Sequence, residues 1–395
     1  MIVRKTTPEE GRRINELFAI CFEMPYSNCP VDPEQDTDTH WAAFDEDGAM
    51  MSNFTIPEYQ IHFDGNLCKM GGIGGVATLP QYRRRGGIRA CFKEALPDMY
   101  RNGYEFSYLY PFSTSFYRQF GYETCVQKFD WQVKLASLQP RKVAGSFHLA
   151  EKHNSMTDAI RALDSIWERE FNMMVRHEKE NYQWTKECDP AVKQEFTYVY
   201  FDAEGAPKAY TTFKVVSQND GRNLECSRFC FADPEGFHGL MALFKSLAAD
   251  HTYAKFKTPA LHGLQYLLPE WNLGAVKWEL LHNAGMVRVI NAAKVLEKAR
   301  YRGTGRAVLQ LRDAMIPENN GTFAVSFENG RCVHVEVTEE LPHAVMEIST
   351  FSALIAGVCD FSEARYTFQG LEVTAETDVL EQIFFRKPMM IVDFF

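Results

Sequence analysis

The stretch Val76-Ala-Thr-Leu-Pro-Gln-Tyr-Arg-Arg-Arg-Gly-Gly-Ile-Arg89 organises the reading of this 395-residue chain. An apolar strand stops at Pro80, and a turn rich in arginine and glycine follows. Ile88, Cys91, Phe92, Ala95, Leu96 and Met99 then recur at helical spacing. Pro97 lies inside that stripe and is expected to kink or shorten the helix. A helix start of this kind offers free backbone N–H groups with the helix dipole behind them, which suits an anion. Gly86 and Gly87 have no Cβ and let a ligand approach the backbone closely. Arg83, Arg84, Arg85 and Arg89 add positive charge at the rim. The same pattern also fits a solvated basic turn, because a short glycine motif is not specific by itself.

Upstream, Thr7-Pro8-Glu9-Glu10 reads as a capping box with proline at the first helical position, and Ile14, Leu17, Phe18 and Cys21 extend an amphipathic helix over 8–22. Strands are expected at Trp41–Phe44, from the Asp45–Gly48 turn through Ile56, and at Tyr59–Phe63. The hairpin turn Asp64-Gly65 then leads into a strand towards Leu79. Downstream come a strand (Tyr104–Tyr110), a helical turn (Ser113–Phe120), a long strand (Tyr122–Val133) and a linker over 135–146. The middle third repeats this order faintly. It has a helix at Ala159–Met173, strands at Phe196–Phe201, Ala209–Val216 and Cys226–Phe231, then a helix from Gly239. Its connecting turn has lost every arginine, and a weak internal duplication follows. From about Met286 the pattern changes to an α+β module. Phe323–Phe327 and Val333–Val337 alternate about a hairpin at Glu328-Asn329-Gly330, and a short apolar helix covers Phe351–Val358. The expected division is 1–140, 141–285 and 286–395.

Composition excludes several classes. With 46% hydrophobic and 13% aromatic residues, the chain can bury a full core and is not disordered. At about 150 residues per domain its length implies two to three domains. Its formal charge of −10 argues against binding nucleic acid or an anionic membrane, and favours cationic or neutral partners. No apolar run approaches the ~20 residues of a membrane span. MIVRKTTPEE turns polar too soon for a signal peptide, so a cytoplasmic location is expected. The ten cysteines include no CxxC pair, and Cys226 and Cys230 have only His238 nearby. No metal site is expected.

The turn at Arg83–Ile88 resembles the pyrophosphate-binding turn of GNAT-superfamily acyltransferases, Q/R-x-x-G-x-G/A, with Ile88 departing from the small last residue. In its R-R-R-G form it is similar to the Eis-type ("enhanced intracellular survival") acetyltransferases. Ser115-Phe-Tyr117-Arg-Gln-Phe-Gly121-Tyr resembles that family's tyrosine segment. The succession of a legible copy, a faded copy and a different α+β tail matches the family's architecture over essentially the whole chain. The resemblance implies a mixed α/β (α+β) fold: tandem GNAT-like domains, the second degenerate, and a C-terminal sterol-carrier-protein-like domain.

It further implies acetyl-CoA as co-substrate. Val76, Ala77 and Thr78 would offer strand backbone to the pantetheine arm. Arg84, Arg85, Gly86, Gly87, Ile88 and Arg89 would cradle the pyrophosphate. Phe112 and Ser113 would stand beside the thioester, although phenylalanine replaces a polar residue there. Tyr117 would be the general acid, and the terminal carboxylate of Phe395 the general base. The acceptor would be a primary amine, polyamine, aminoglycoside or lysine-like, and the protein a homo-oligomer, a hexamer in members of that family. Two other functions are compatible with the residues: a non-catalytic protein binding CoA and an apolar ligand, and a protein or peptide N-acetyltransferase.

Overall fold

The computed structural model describes residues 1–29, 39–260, 266, 275–281, 285–374 and 378–393. At the N-terminus, strand β1 (Ile2–Lys5) leads to the capping box, where the Thr7 N–H donates to Glu10 Oε2 at 2.8 Å. A short 3-10 turn over Pro8–Glu10 then runs into helix α1 (Gly11–Cys21). Strands β2 (His40–Phe44), β3 (Met50–Thr55), β4 (Glu58–Phe63) and β5 (Asn66–Thr78) follow as antiparallel neighbours. Next come helix α2 (Gly87–Arg101), strand β6 (Phe106–Leu109), the short helix α3 (Thr114–Arg118) and strand β7 (Glu123–Thr124). Alternation along β2 and β3 gives the sheet two apolar faces. Ile14, Leu17 and Phe18 of α1 pack on one with Ala42, Phe44 and Met50, while the buried stripe of α2 covers Trp41, Ala43 and Phe54 on the other.

Pro97 does not shorten its helix, and one expected strand is not continuous. Helix α2 continues through Pro97 to Arg101. The carbonyl that loses its partner belongs to Lys93, on the exposed side, whereas Ala95, Leu96 and Met99 are buried against the sheet. Packing therefore outweighs one lost hydrogen bond. The strand expected over Tyr122–Val133 is also broken. Glu123–Thr124 stays with the first sheet, and Lys128–Lys134 joins a different one, between Tyr253–Pro259 and Val276–Leu281.

By its internal contacts the chain divides into two compact units, 1–126 with 283–387 and 391–395, and 127–282 with 388–390. In the first unit the strand Met286–Val289 pairs antiparallel with both β6 and β7 and completes an eight-stranded sheet. A five-stranded sheet follows in the order 331–337, 321–328, 305–312, 344–347, 371–373. The helix Ile348–Ala356, apolar on nearly every side, is buried, and Ser352 Oγ accepts the Val289 N–H at 2.8 Å. The second unit is a seven-stranded sheet with helices Thr157–Glu170 and Pro234–Ser246.

Two ion pairs inside the first unit lie away from water, Arg288–Asp313 and Lys387–Asp64. Lys387 Nζ is 2.6 Å from Asp64 Oδ2 and donates to the Ile355 carbonyl at 3.1 Å, and the Arg300 N–H donates to the same carboxylate oxygen at 2.7 Å. Burial pulls the Lys387 ammonium below its ordinary pKa while the Asp64 carboxylate opposes the shift. Replacing Lys387 with Met should cost about 3–5 kcal/mol of stability, because it strands a buried carboxylate. The pair Asp64→Asn with Lys387→Met should recover most of that loss in urea denaturation, because asparagine drops the charge, keeps an acceptor for the Arg300 N–H and tolerates the left-handed backbone there.

Candidate active site

Strand β5 is thirteen residues long but keeps β6 as a parallel partner only from Met70 to Ile73. Beyond Ile73 and Leu109 the ladder between them ends, while β3 still pairs the far edge of β5 at Ala77 and Thr78. Val76, Ala77 and Thr78 thus lie where β5 has lost its β6 neighbour. A bulge marks the parting. Gly75 has φ +60°, and a Cβ there would sit 2.1 Å from the Phe18 ring. Thr78 Oγ1 bonds Ser52 Oγ at 2.9 Å, so its side chain is held back against the sheet.

The arginine turn leads from this strand end into α2. Arg84 and Gly86 are both left-handed, with φ +65° and +82°, and Gly86 is the cap residue of α2. The first hydrogen bond within the helix runs from the Ala90 N–H to the Gly86 carbonyl at 2.9 Å. The amides of Gly87, Ile88 and Arg89 therefore precede the helical ladder, and among the described residues no side chain caps them. The two glycines serve different ends. A Cβ on Gly86 would meet nothing within 4 Å, so only its conformation calls for glycine. A Cβ on Gly87 would fall 2.4 Å from Ser52 Oγ, so Gly87 lets the helix start sit on β3. Ile88 is buried in the core beneath, which explains a bulky residue at that position. Arg83, Arg84, Arg85 and Arg89 are exposed. Asp45 is held below the usual carboxylate range first by the Ala49 N–H and the Tyr82 hydroxyl, with Arg85 adding a smaller pull. Arg85 also stacks over the Tyr82 ring at 5.4 Å.

Arg89 joins this turn to the tyrosine segment. Its guanidinium donates to Gln119 Oε1 and lies 5.7 Å from the Phe120 ring centroid. Tyr117 is 2% exposed, edge-on to Phe92, Phe112 and Phe116. Burial pushes its phenol well above the usual pKa, so it is protonated at neutral pH. Phe112 is exposed, its ring 5.3 Å from that of Tyr117. Ser113 caps α3, accepting the Phe116 N–H at 3.4 Å. Phe395 lies outside the described residues. The nearest described part of the tail is fixed by Tyr110, whose hydroxyl donates to the Asp393 carbonyl at 2.5 Å. Sequence reading missed Gln119, Tyr110 and the buried Arg288, whose guanidinium donates to the Phe120 carbonyl at the end of the tyrosine segment. The signal for Arg288 was a charge inside the apolar run Met286-Val-Arg-Val-Ile290.

Residues 2–125 match the acetyltransferase (GNAT) domain family, and residues 172–289 match a second acetyltransferase (GNAT) domain family. The chain carries two GNAT acetyltransferase domains. Residues 271–391 match the sterol carrier protein domain, so tandem GNAT domains followed by a sterol-carrier-protein domain are the architecture, as the sequence resemblance implied. Acetyl-CoA-dependent acyl transfer is the activity that goes with these GNAT domains. No curated protein matches the chain. Among solved structures, a GCN5-related N-acetyltransferase from Anabaena variabilis is 19% identical, with TM-score 0.85 over 100% of both chains. A probable N-acyltransferase from Enterococcus faecalis is 22% identical, with TM-score 0.85 over 100% of this chain and 99% of that one. Eis1 from Mycobacterium abscessus is 15% identical, with TM-score 0.82 over 100% of both. These likenesses establish the fold along the whole length.

The second GNAT domain handles the equivalent place differently. Its helix Pro234–Ser246 is capped by Asp233, whose carboxylate accepts the Gly236 N–H at 2.9 Å. A Cβ on Gly236 would meet the Lys208 carbonyl oxygen at 2.2 Å, and one on Gly239 the Tyr200 ring at 2.6 Å. There the helix start is closed by the domain's own atoms, and a carboxylate already holds the anion position. Among the described residues no group of three His, Cys, Asp or Glu side chains could hold a metal. No described helix is long and apolar enough to cross a membrane.

If the α2 turn holds the cofactor, Gly87→Ala should raise the acetyl-CoA KM at least ~10-fold, equivalent to about 1.4 kcal/mol. Saturating kcat should change little. Adding Ser52→Ala, which removes the closest obstructing atom, should return part of the affinity in calorimetric CoA titrations.

Proposed function

We propose that this chain moves the acetyl group of acetyl-CoA onto a primary amine by direct attack in a ternary complex. Tyr117 is the general acid and the terminal carboxylate of Phe395 the general base. The observation that carries the reading is the bare start of α2, three amides without a side-chain cap and rimmed by arginines. It is linked through Arg89 and Gln119 to the segment bearing Tyr117. Val76, Ala77 and Thr78 receive the pantetheine arm where β5 has left β6, and Arg84–Arg89 receive the pyrophosphate. Phe112 and Ser113 line the thioester, Ser113 through its backbone, because its hydroxyl is engaged as a cap.

An alkyl ammonium has a pKa of ~10 and must lose a proton before its nitrogen can attack near pH 7. The Phe395 carboxylate takes that proton. The carbon–nitrogen bond forms, the carbon–sulfur bond breaks, and Tyr117 gives its proton to the leaving sulfur. The nitrogen's second proton then restores Tyr117. Burial raises the phenol's pKa and so keeps the proton on Tyr117 near neutral pH until a strongly basic thiolate forms beside it. The Tyr110–Asp393 bond supports the role of the tail, since it fixes a residue two short of the chain end against the end of β6. A formal charge of −10 favours a small cationic acceptor such as a polyamine, an aminoglycoside or a lysine-like amine. By family resemblance the reading includes a cytoplasmic homo-oligomer.

Tyr117→Phe should lower kcat by about 10²–10⁴-fold, as expected for loss of a placed proton donor, with little change in acetyl-CoA affinity. Intact turnover would make Tyr117 a packing residue. Deleting Phe395 moves the terminal carboxylate back by up to ~3.5 Å, and a C-terminal tag converts it to an amide. Both forms should stay folded and lose most turnover at pH 7, with partial recovery as the pH approaches the amine's own pKa. A tagged protein fully active at pH 7 would exclude the terminal carboxylate.

A further inference from the structure

Helix α3, which bears Tyr117, has only five residues, too few to hold a side chain in place without outside help. Its start is capped by Ser113. Its end turns back on itself, with the Phe120 N–H donating to the Tyr117 carbonyl at 2.9 Å and the Gly121 N–H to the Arg118 carbonyl at 3.0 Å. The carbonyl of Phe120 then receives a hydrogen bond of 2.6 Å from Arg288 Nη1. Arg288 comes from the strand Met286–Val289, far away in sequence, and is 0% exposed.

A buried guanidinium is costly unless its partners are fixed; here both Nη1 and Nη2 have fixed partners, while Nε has none among the described residues. Nη2 of Arg288 lies 2.8 and 2.7 Å from the two oxygens of Asp313. That carboxylate also accepts the N–H groups of Met315 and Ile316 and the side-chain amide of Asn319, which in turn bonds the Ile290 carbonyl at 2.9 Å. Gly121 is shaped around the guanidinium. Its φ is +82°, and a Cβ there would lie 1.7 Å from Arg288 Nη1. If the site called only for a filled core, an apolar side chain of similar volume would serve without the desolvation cost. The polar chain ends instead on one carbonyl, three residues after Tyr117.

We propose that Arg288 is a positioning residue for Tyr117: pinned by Asp313, its guanidinium fixes the Phe120 carbonyl and so sets the end of the turn that aims the Tyr117 hydroxyl. The inference rests on Tyr117 acting as the acid. Misplacing a reacting group by about 1 Å costs on the order of 10²-fold in rate, so loss of the clamp acts on kcat rather than on cofactor affinity. Lysine keeps the charge but has no planar fork to engage Asp313 and the carbonyl together.

The test is a double-mutant cycle on the full-length protein, measured well below the lowest melting temperature of the set. Arg288→Lys should lower kcat by roughly 10- to 100-fold with the acetyl-CoA KM within about twofold. In a Tyr117→Phe background the same change should cost almost nothing further, because the aimed group is already gone. Asp313→Asn keeps the shape of the clamp, is expected to fold, and should show the same coupling; the cycle is completed on it if Arg288→Lys does not fold. Equal loss in both backgrounds, or a folded Arg288→Lys protein with normal kcat, would overturn the positioning role while leaving Tyr117 as the acid. An unchanged kcat in Tyr117→Phe alone would overturn the acid and the positioning role together.

Discussion

Everything at the candidate active site follows from the parting of β5 and β6. Two parallel strands that stay paired satisfy each other's backbone; here β5 runs five residues past its last bond to β6. Polar backbone left in that way has to be met by water or by a ligand. The bulge at Gly75 turns the strand away from its neighbour, and Phe18 occupies the place a side chain would take. The helix beginning a few residues later then brings its own unmatched amides to the same end of the sheet. One ladder, ended early, thus yields the strand edge and the helix start to which the proposed function assigns the cofactor's arm and pyrophosphate.

The second GNAT domain shows what such a site looks like when it is lost. Strand, turn and helix remain, but Asp233 caps the helix, and Tyr200 and the Lys208 backbone fill the space beside Gly236 and Gly239. Degeneration here means occupation: the domain's own carboxylate and ring take the places that an anion and its cradle would need. The glycines survive in both copies for opposite reasons. Gly87 lets a helix start lie against a strand with its amides still facing out, whereas Gly236 and Gly239 admit the domain's own neighbours.

What could be read from the sequence was local. The capping box at Thr7–Glu10, the arginine turn, the Ser113-to-Phe120 segment and the hairpins at 45–48, 64–65 and 328–330 depend on residues a few positions apart. The order of domains was legible because each carries its own succession of such signals. What escaped depends on partners far off in the chain. Glu123–Thr124 and Lys128–Lys134 read as one alternating run, and only their partners, Met286–Val289 on one side and Tyr253–Pro259 on the other, divide them. Pro97 looked like a break because its helix was judged without the sheet that holds it. Arg288 and Lys387 are charged residues whose only meaning is a carboxylate in the core, Asp313 in one case and Asp64 in the other, and spacing along the sequence does not reveal a partner at that remove.

The placement of Met286–Val289 between β6 and β7 also bears on how the protein is made. The strand that completes the first sheet leaves the ribosome only after residues 127–282 of the second unit have been synthesised. At translation speeds of roughly 5–20 residues per second, β6 waits on the order of ten seconds or more with an open edge. Residues 2–125, though they match a GNAT domain family, are therefore an unfinished sheet during synthesis, exposed to the edge-to-edge pairing that open strands invite. Assembly of the first sheet is a late event in the life of the nascent chain.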